Sequence, residues 1–163
     1  MSRTLLMLSA VAFASTLSAS ALAKTEKEFV ADAIAGDSAE IALGQLAQVK
    51  SGSGEVRAFA QVLIDDHTRN KRQAATVAAK FRIEPPDELP PEAREEMSKL
   101  EGLSGADFDK EFVRYMVADH EKDIAEFRQE SADGAGAVQQ LAAQSLPTLE
   151  KHLEIAKSLE AGK

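Results

Sequence analysis

Residues 55–81 read EVRAFAQVLIDDHTRNKRQAATVAAKF, and within them Val56, Ala60, Leu63, His67, Asn70, Ala74, Val77 and Phe81 recur at alternating spacings of four and three. That spacing averages about 3.5 residues, so it lays every one of these side chains along a single stripe of one long helix. The turn Ser51-Gly52-Ser53-Gly54 precedes it. Before the turn, Glu26 to Lys50 repeats the pattern through Phe29, Ala33, Gly36, Glu40, Leu43 and Ala47. Two long amphipathic helices joined by so short a turn pack as antiparallel neighbours.

Downstream, Arg82 to Gly105 holds Pro85, Pro86, Pro90 and Pro91, and its one helical stretch is short, from Pro91 to about Leu100. Proline suits the first position of a helix. A connection this long is unusual within a bundle unless it carries the chain to the far end. A third long helix follows over about Asp107 to Ser131, with Phe112, Met116, His120, Ile124 and Phe127 on one face. Asp133-Gly134-Ala135-Gly136 ends it, and a fourth runs from about Ala137 to Glu160 through Val138, Ala142, Ser145, Leu149, His152, Ala156 and Leu159. Pro147 lies inside that last pattern and is expected to kink the helix or restart it. The expectation is an all-α four-helix bundle with a long second connection carrying a short helix.

The first 23 of the 163 residues read differently. Arg3, the apolar run Leu5 to Leu17 and the small-x-small triplet Ala21-Leu22-Ala23 describe a secretory leader cleaved before Lys24. The division is therefore a leader over 1–23 and a bundle domain over 24–163. Cleavage removes one charge, Arg3, leaving 18 basic against 27 acidic residues. An acidic surface of that size repels nucleic acid and anionic lipid headgroups. No segment of the mature chain is apolar enough for integral membrane insertion, so the expected location is the periplasm. There are no cysteines. Stability then rests on packing, and any metal site must use nitrogen and oxygen ligands. No phosphate loop, Ser-His-Asp order or aromatic nucleic-acid platform is present, and the sequence names no reaction.

The chain has three histidines, and His67, His120 and His152 each fall mid-stripe on a different helix. Glu40 holds the matching place on the first. Each lies about 12–15 residues into a helix of about 25, hence roughly 18–23 Å from its start, at mid-height whichever way the helix points. Chance would put three histidines on such stripes about one time in twelve. Converging at mid-height, the four side chains would supply ligands for one transition-metal ion: Zn, Fe, Mn or Cu. The same residues fit a second reading, in which the histidines are buried, neutral and hydrogen-bonded, in a non-enzymatic envelope or interaction protein. In an acid-stress version of that reading, the histidines charge as pH falls and loosen the bundle. Asp37 and Glu150 are possible supporting or substitute ligands, but both are expected to face solvent. Asp65, Arg69, Lys71 and Arg72 form a solvated charged face.

A series of short motifs then carries a resemblance. Phe29-Val30-Ala31, Glu40-Ile41-Ala42-Leu43-Gly44, Phe59-Ala60, Asp66-His67-Thr68, Leu103-Ser104-Gly105 with Phe108-Asp109, Asp119-His120 and Leu146-Pro147-x-Leu149-x-x-His152-Leu153 occur in order. The chain resembles the exported bacterial family called domain of unknown function 4142, which is grouped with ferritin-like folds. The resemblance implies a ferritin-like four-helix bundle and little about activity. The wider ferritin-like group often binds two irons through Glu-x-x-His pairs. Here the residue three before each histidine is Ile64, Val117 or Leu149, none of which can ligate. A mononuclear, histidine-rich site is what these residues can build.

Overall fold

The computed structural model describes residues 24–162; the leader expected over 1–23, with its cleavage after Ala23, lies outside them. Five helices follow one another: α1 (Glu26–Lys50), α2 (Gly54–Phe81), α3 (Pro91–Glu101), α4 (Gly105–Ala132) and α5 (Ala137–Ala161). Among the described residues there is no strand, and no helix is long and apolar enough to cross a membrane.

The ends are set by local chemistry. Thr25 and Glu28 form a reciprocal capping box at the start of α1, with Glu28 Oε2 accepting from the Thr25 backbone N at 2.8 Å. Ser53 Oγ accepts from the N–H groups of Glu55 and Val56 and opens α2. Arg82 closes α2 in a left-handed conformation, φ 55°. The helix does not restart at Pro147: α5 runs from Ala137 to Ala161 through it. Proline removes one intrahelical bond there, and buried Ser145 and Leu149 hold the helix on both sides.

The helices pair α1 with α2 and α4 with α5, and the second pair closes the bundle against the first. The long connection does run to the far end. Phe81 and Ile83, where α2 finishes, pack with Phe29 and Val138, whereas α4 begins beside Ser51, which bridges to Gly105. Ser51 Oγ also donates to Asp109 Oδ1 at 2.5 Å, tying the first turn to α4. In between, α3 packs on α1 and α4.

The apolar core comes in two parts. One gathers Ile34, Ala74, Ile124 and Ala142 with Phe29 and Phe127; the other gathers Leu43, Leu63, Met116 and Ala156 with Phe59 and Phe112. On every long helix the two parts are separated by one stretch of polar side chains, and those stretches share one level. Asp37 and Glu40, His67 and Asn70, His120, and Ser145 and His152 occupy it.

Close approach of α1 to α2 just below this level depends on Gly44. A Cβ there would lie 2.9 Å from Ile64 Cγ1 and 3.1 Å from the Ala60 carbonyl oxygen. Gly44→Val should therefore push the two helices apart and cost about 1–3 kcal/mol. The expected result is a lower urea midpoint at unchanged slope.

Candidate metal centre

One histidine from each of α2, α4 and α5 meets at the polar level, and all three are buried. Ring centroids are 5.9 Å apart for His67–His120, 5.2 Å for His67–His152 and 5.3 Å for His120–His152. One ring nitrogen from each lies within 4.8 Å of the other two. The heptad-like stripes of three separate helices produce this convergence, because each histidine sits at the same height between the two apolar clusters.

Hydrogen bonds decide which nitrogens carry protons. His67 Nδ1 donates to Asp37 Oδ1 at 2.8 Å, His120 Nδ1 to the Met116 carbonyl at 2.9 Å, and His152 Nε2 to Asp66 Oδ2 at 3.1 Å. A carbonyl or carboxylate oxygen only accepts, so in each case the single N–H of a neutral imidazole is the one used. That leaves His67 Nε2, His120 Nε2 and His152 Nδ1 as bare lone pairs. His67 Nε2 is buried without a partner. His120 Nε2 and His152 Nδ1 face each other at 3.3 Å. Two lone pairs at that distance repel until something positive lies between them.

The surroundings keep two of the rings, His120 and His152, neutral. Burial, and then the neighbouring His67 and His152, push His120 down to about 3. Burial pushes His152 down to about 4, against the opposing pull of its hydrogen bond to Asp66. Asp66 stays ionised: burial raises it, but the hydrogen bonds from His152 and Arg69 outweigh that and hold it below the usual carboxylate range. Asp37 is raised by burial while His67 and Asn70 pull it back. Both Asp37 oxygens accept from Asn70 Nδ2, at 3.1 and 3.0 Å, and Ser145 Oγ in turn donates to Asn70 Oδ1 at 2.7 Å.

Glu40 is placed differently from the three histidines. It is buried at the same level, but its nearest approach is 3.9 Å from His120 Nδ1, the nitrogen already bonded to Met116. Neither of its oxygens has a hydrogen-bond partner. Burial, and then Asp119, Asp123 and Asp37, push its carboxyl well above the usual range, so it stands there as a neutral acid. Asp37 is a correction to the sequence reading: expected to face solvent, it is buried and orients His67. Its position three residues before Glu40 was the available signal, since i and i+3 share a helix face. Asp66 does not share a face with the adjacent His67; it serves His152 across the α2–α5 boundary. Glu150 does face solvent, paired with Arg128 at 2.6 Å.

The chain belongs to the family described as a domain of unknown function, DUF4142, whose model matches residues 11–159. A comparison with curated proteins gives no match. Among solved structures it is similar to a DUF305 fragment from Deinococcus radiodurans, at TM-score 0.75 and 20% identity over 85% of this chain and 96% of that one. It is also similar to CopM in the Cu(II)-bound form, at TM-score 0.71 and 16% identity over 86% of this chain and 99% of that one. Both likenesses establish the helical-bundle fold. The buried histidine cluster is compatible with metal binding.

The acids and histidines titrate in opposite senses. Asp123 is raised to about 8 by burial and then by Asp119 and Glu126, so its contribution is fully present at low pH and is lost as pH rises through 8. His120 and His152 are lowered, so theirs is present above the unfolded histidine value and lost as pH falls towards 4 and 3. Above about pH 6.5 only the acids still change, and the metal-free protein should melt higher at pH 6.5 than at pH 8.5. Asp123→Asn should flatten that rise; a melting temperature that falls over the same interval would contradict the assignment.

Proposed function

We propose that this is an exported, periplasmic metal-binding protein that holds one transition-metal ion on His67 Nε2, His120 Nε2 and His152 Nδ1. The observation that carries this is the set of three inward lone pairs, each fixed by an oxygen acceptor on its ring's other nitrogen. Carboxylate or carbonyl partners of that kind set tautomer and ring orientation at metal-bound histidines. The 3.3 Å between His120 Nε2 and His152 Nδ1 is close to the ~3.4 Å that separates two ligands at about 2.1 Å from one tetrahedral ion. The third nitrogen, within 4.8 Å, closes by at most about 1.4 Å to complete the set.

Neutral imidazoles suit copper, zinc and iron better than manganese, which favours oxygen. CopM, which shares the fold, is known in a Cu(II)-bound form, so copper is the first ion to test. Glu40, as a buried neutral acid, is a reserve ligand that a cation could ionise. A sealed site of three histidines fits storage or buffering of an ion during envelope stress, and the leader read over 1–23 supports export.

The test uses the mature chain purified without a histidine tag. Titration with Cu(II) or Zn(II) should show one ion per chain and raise the melting temperature, by about 2.7 kcal/mol of stabilisation at a hundredfold excess over Kd. His67→Ala and His152→Ala should each abolish most of that gain, and the double variant should lose no more than either alone. Asp66→Asn should weaken binding about 10–100-fold through His152's orientation. Absence of a bound ion, or additive effects of the two histidine variants, would leave the histidines as structural groups only.

A further inference from the structure

A cavity of about 220 Å³ opens between α1 and α4, under the start of α3 at Pro90 and Pro91, and reaches His67. His67 is nine-tenths buried or more, and its Nε2 is the ring nitrogen without a partner. The α4 wall is acidic, with Asp119 and Asp123; the α1 wall ends at Asp37. The two lysines at the rim are both engaged. Lys24 Nζ lies 2.9 Å from Asp32 Oδ2 and 2.8 Å from Glu126 Oε2, so it spans the mouth from α1 to α4. Lys122 is held by Glu92 at 2.9 Å.

Gly36 forms part of the α1 wall. Glycine inside a helix costs about 1 kcal/mol relative to alanine. At Gly44 a crowded interface accounts for that cost, but at Gly36 an added Cβ would meet nothing within 4 Å. Packing therefore gives no reason for a glycine there, while the open space beside Asp37 and His67 does. A second cavity of about 320 Å³ reaches His67 from the α2–α5 side, but its rim is different. Its one acid, Asp66, is taken up by Arg69 and His152, and its other polar residues, such as Gln73, Gln144 and Thr148, are neutral.

Resting on the metal-site reading above, we propose that the α1–α4 cavity is the route by which a hydrated divalent cation enters the three-histidine site. Asp119 draws the cation inward, Gly36 keeps the passage clear, and Lys24 straps the mouth. A cleft lined with one sign of charge raises the local concentration of the opposite ion and the rate at which it arrives. A route, unlike a ligand, governs how fast equilibrium is reached and leaves its position unchanged.

Stopped-flow mixing of the metal-free full-length mature protein with Co(II), followed by the ion's visible absorption, separates these. Gly36→Leu should slow association and dissociation alike, by about tenfold, with Kd unchanged. Asp119→Asn adds no bulk, so it tests the route even if the leucine variant folds poorly; it should slow association and weaken its dependence on salt. Thr148→Phe, which obstructs the α2–α5 cavity, should leave both rates as they were. Unchanged rates in Gly36→Leu and Asp119→Asn, or slowing by Thr148→Phe instead, would overturn the route while leaving the metal site standing. A wild-type chain that takes up no Co(II), Cu(II) or Zn(II) would overturn the site and the route together.

Discussion

Three imidazoles gathered between two apolar clusters leave a specific electrostatic problem, and much of the bundle's middle layer is arranged around it. Each ring has one N–H and one lone pair. Asp37, the Met116 carbonyl and Asp66 take the N–H groups, which leaves one bare nitrogen on each ring, and one ring nitrogen from each lies within 4.8 Å of the other two. Without a cation, His67 Nε2 goes unbonded and the other two lone pairs oppose each other. An unsatisfied buried acceptor costs about 1–3 kcal/mol, so the layer is a local weakness in an otherwise well-packed core. Stability in this protein is concentrated in the two apolar halves, and the middle is left to chemistry.

The acids follow from the same arrangement. Asp37 and Asp66 each serve a histidine and are drawn towards the ionised form by it. Asp123 and Glu40 have no such partner and keep their protons instead. One side of the layer thus presents bare nitrogen, and the other holds carboxyls that keep their protons. The acid-sensing reading meets opposition here. Lowering the pH protonates the histidines at a cost, but the crowded carboxyls have already gained from being protonated, so the two trends offset each other through the mildly acidic range.

Most of the fold was legible in the sequence because it depends on periodicity. The four stripes, the Gly-Ser and Asp-Gly breaks and the proline-rich connection gave each long helix to within two residues, and α1 with the bounds found. The common height of His67, His120, His152 and Glu40 could also be read, since rise per residue is fixed. What a stripe does not convey is the direction of a side chain within the layer. Glu40 shares the level, yet it approaches the wrong nitrogen of His120 for ligation. Asp66 lies off its own helix's stripe but faces α5, a contact that depends on how two helices are rotated against each other. Pro147 shows the converse limit: a residue that breaks isolated helices is carried by packing on either side.

The departure from a carboxylate-bridged di-iron centre now has a structural reason as well as a sequence one. In the Glu-x-x-His arrangement, the residue three before the histidine faces the same space and supplies a bridging oxygen. Here Leu149 is built into the apolar core, and Ile64 packs where α1 and α2 touch at Gly44. Those two positions are held by hydrocarbon, so neither supplies a bridging carboxylate. Restoring Glu at position 64 would place a carboxylate against the Ala60–Gly44 contact rather than beside His67's lone pair. The helical-bundle frame is shared with the similar solved structures, but at the level of the histidines this chain gathers three imidazoles, with acids beside them.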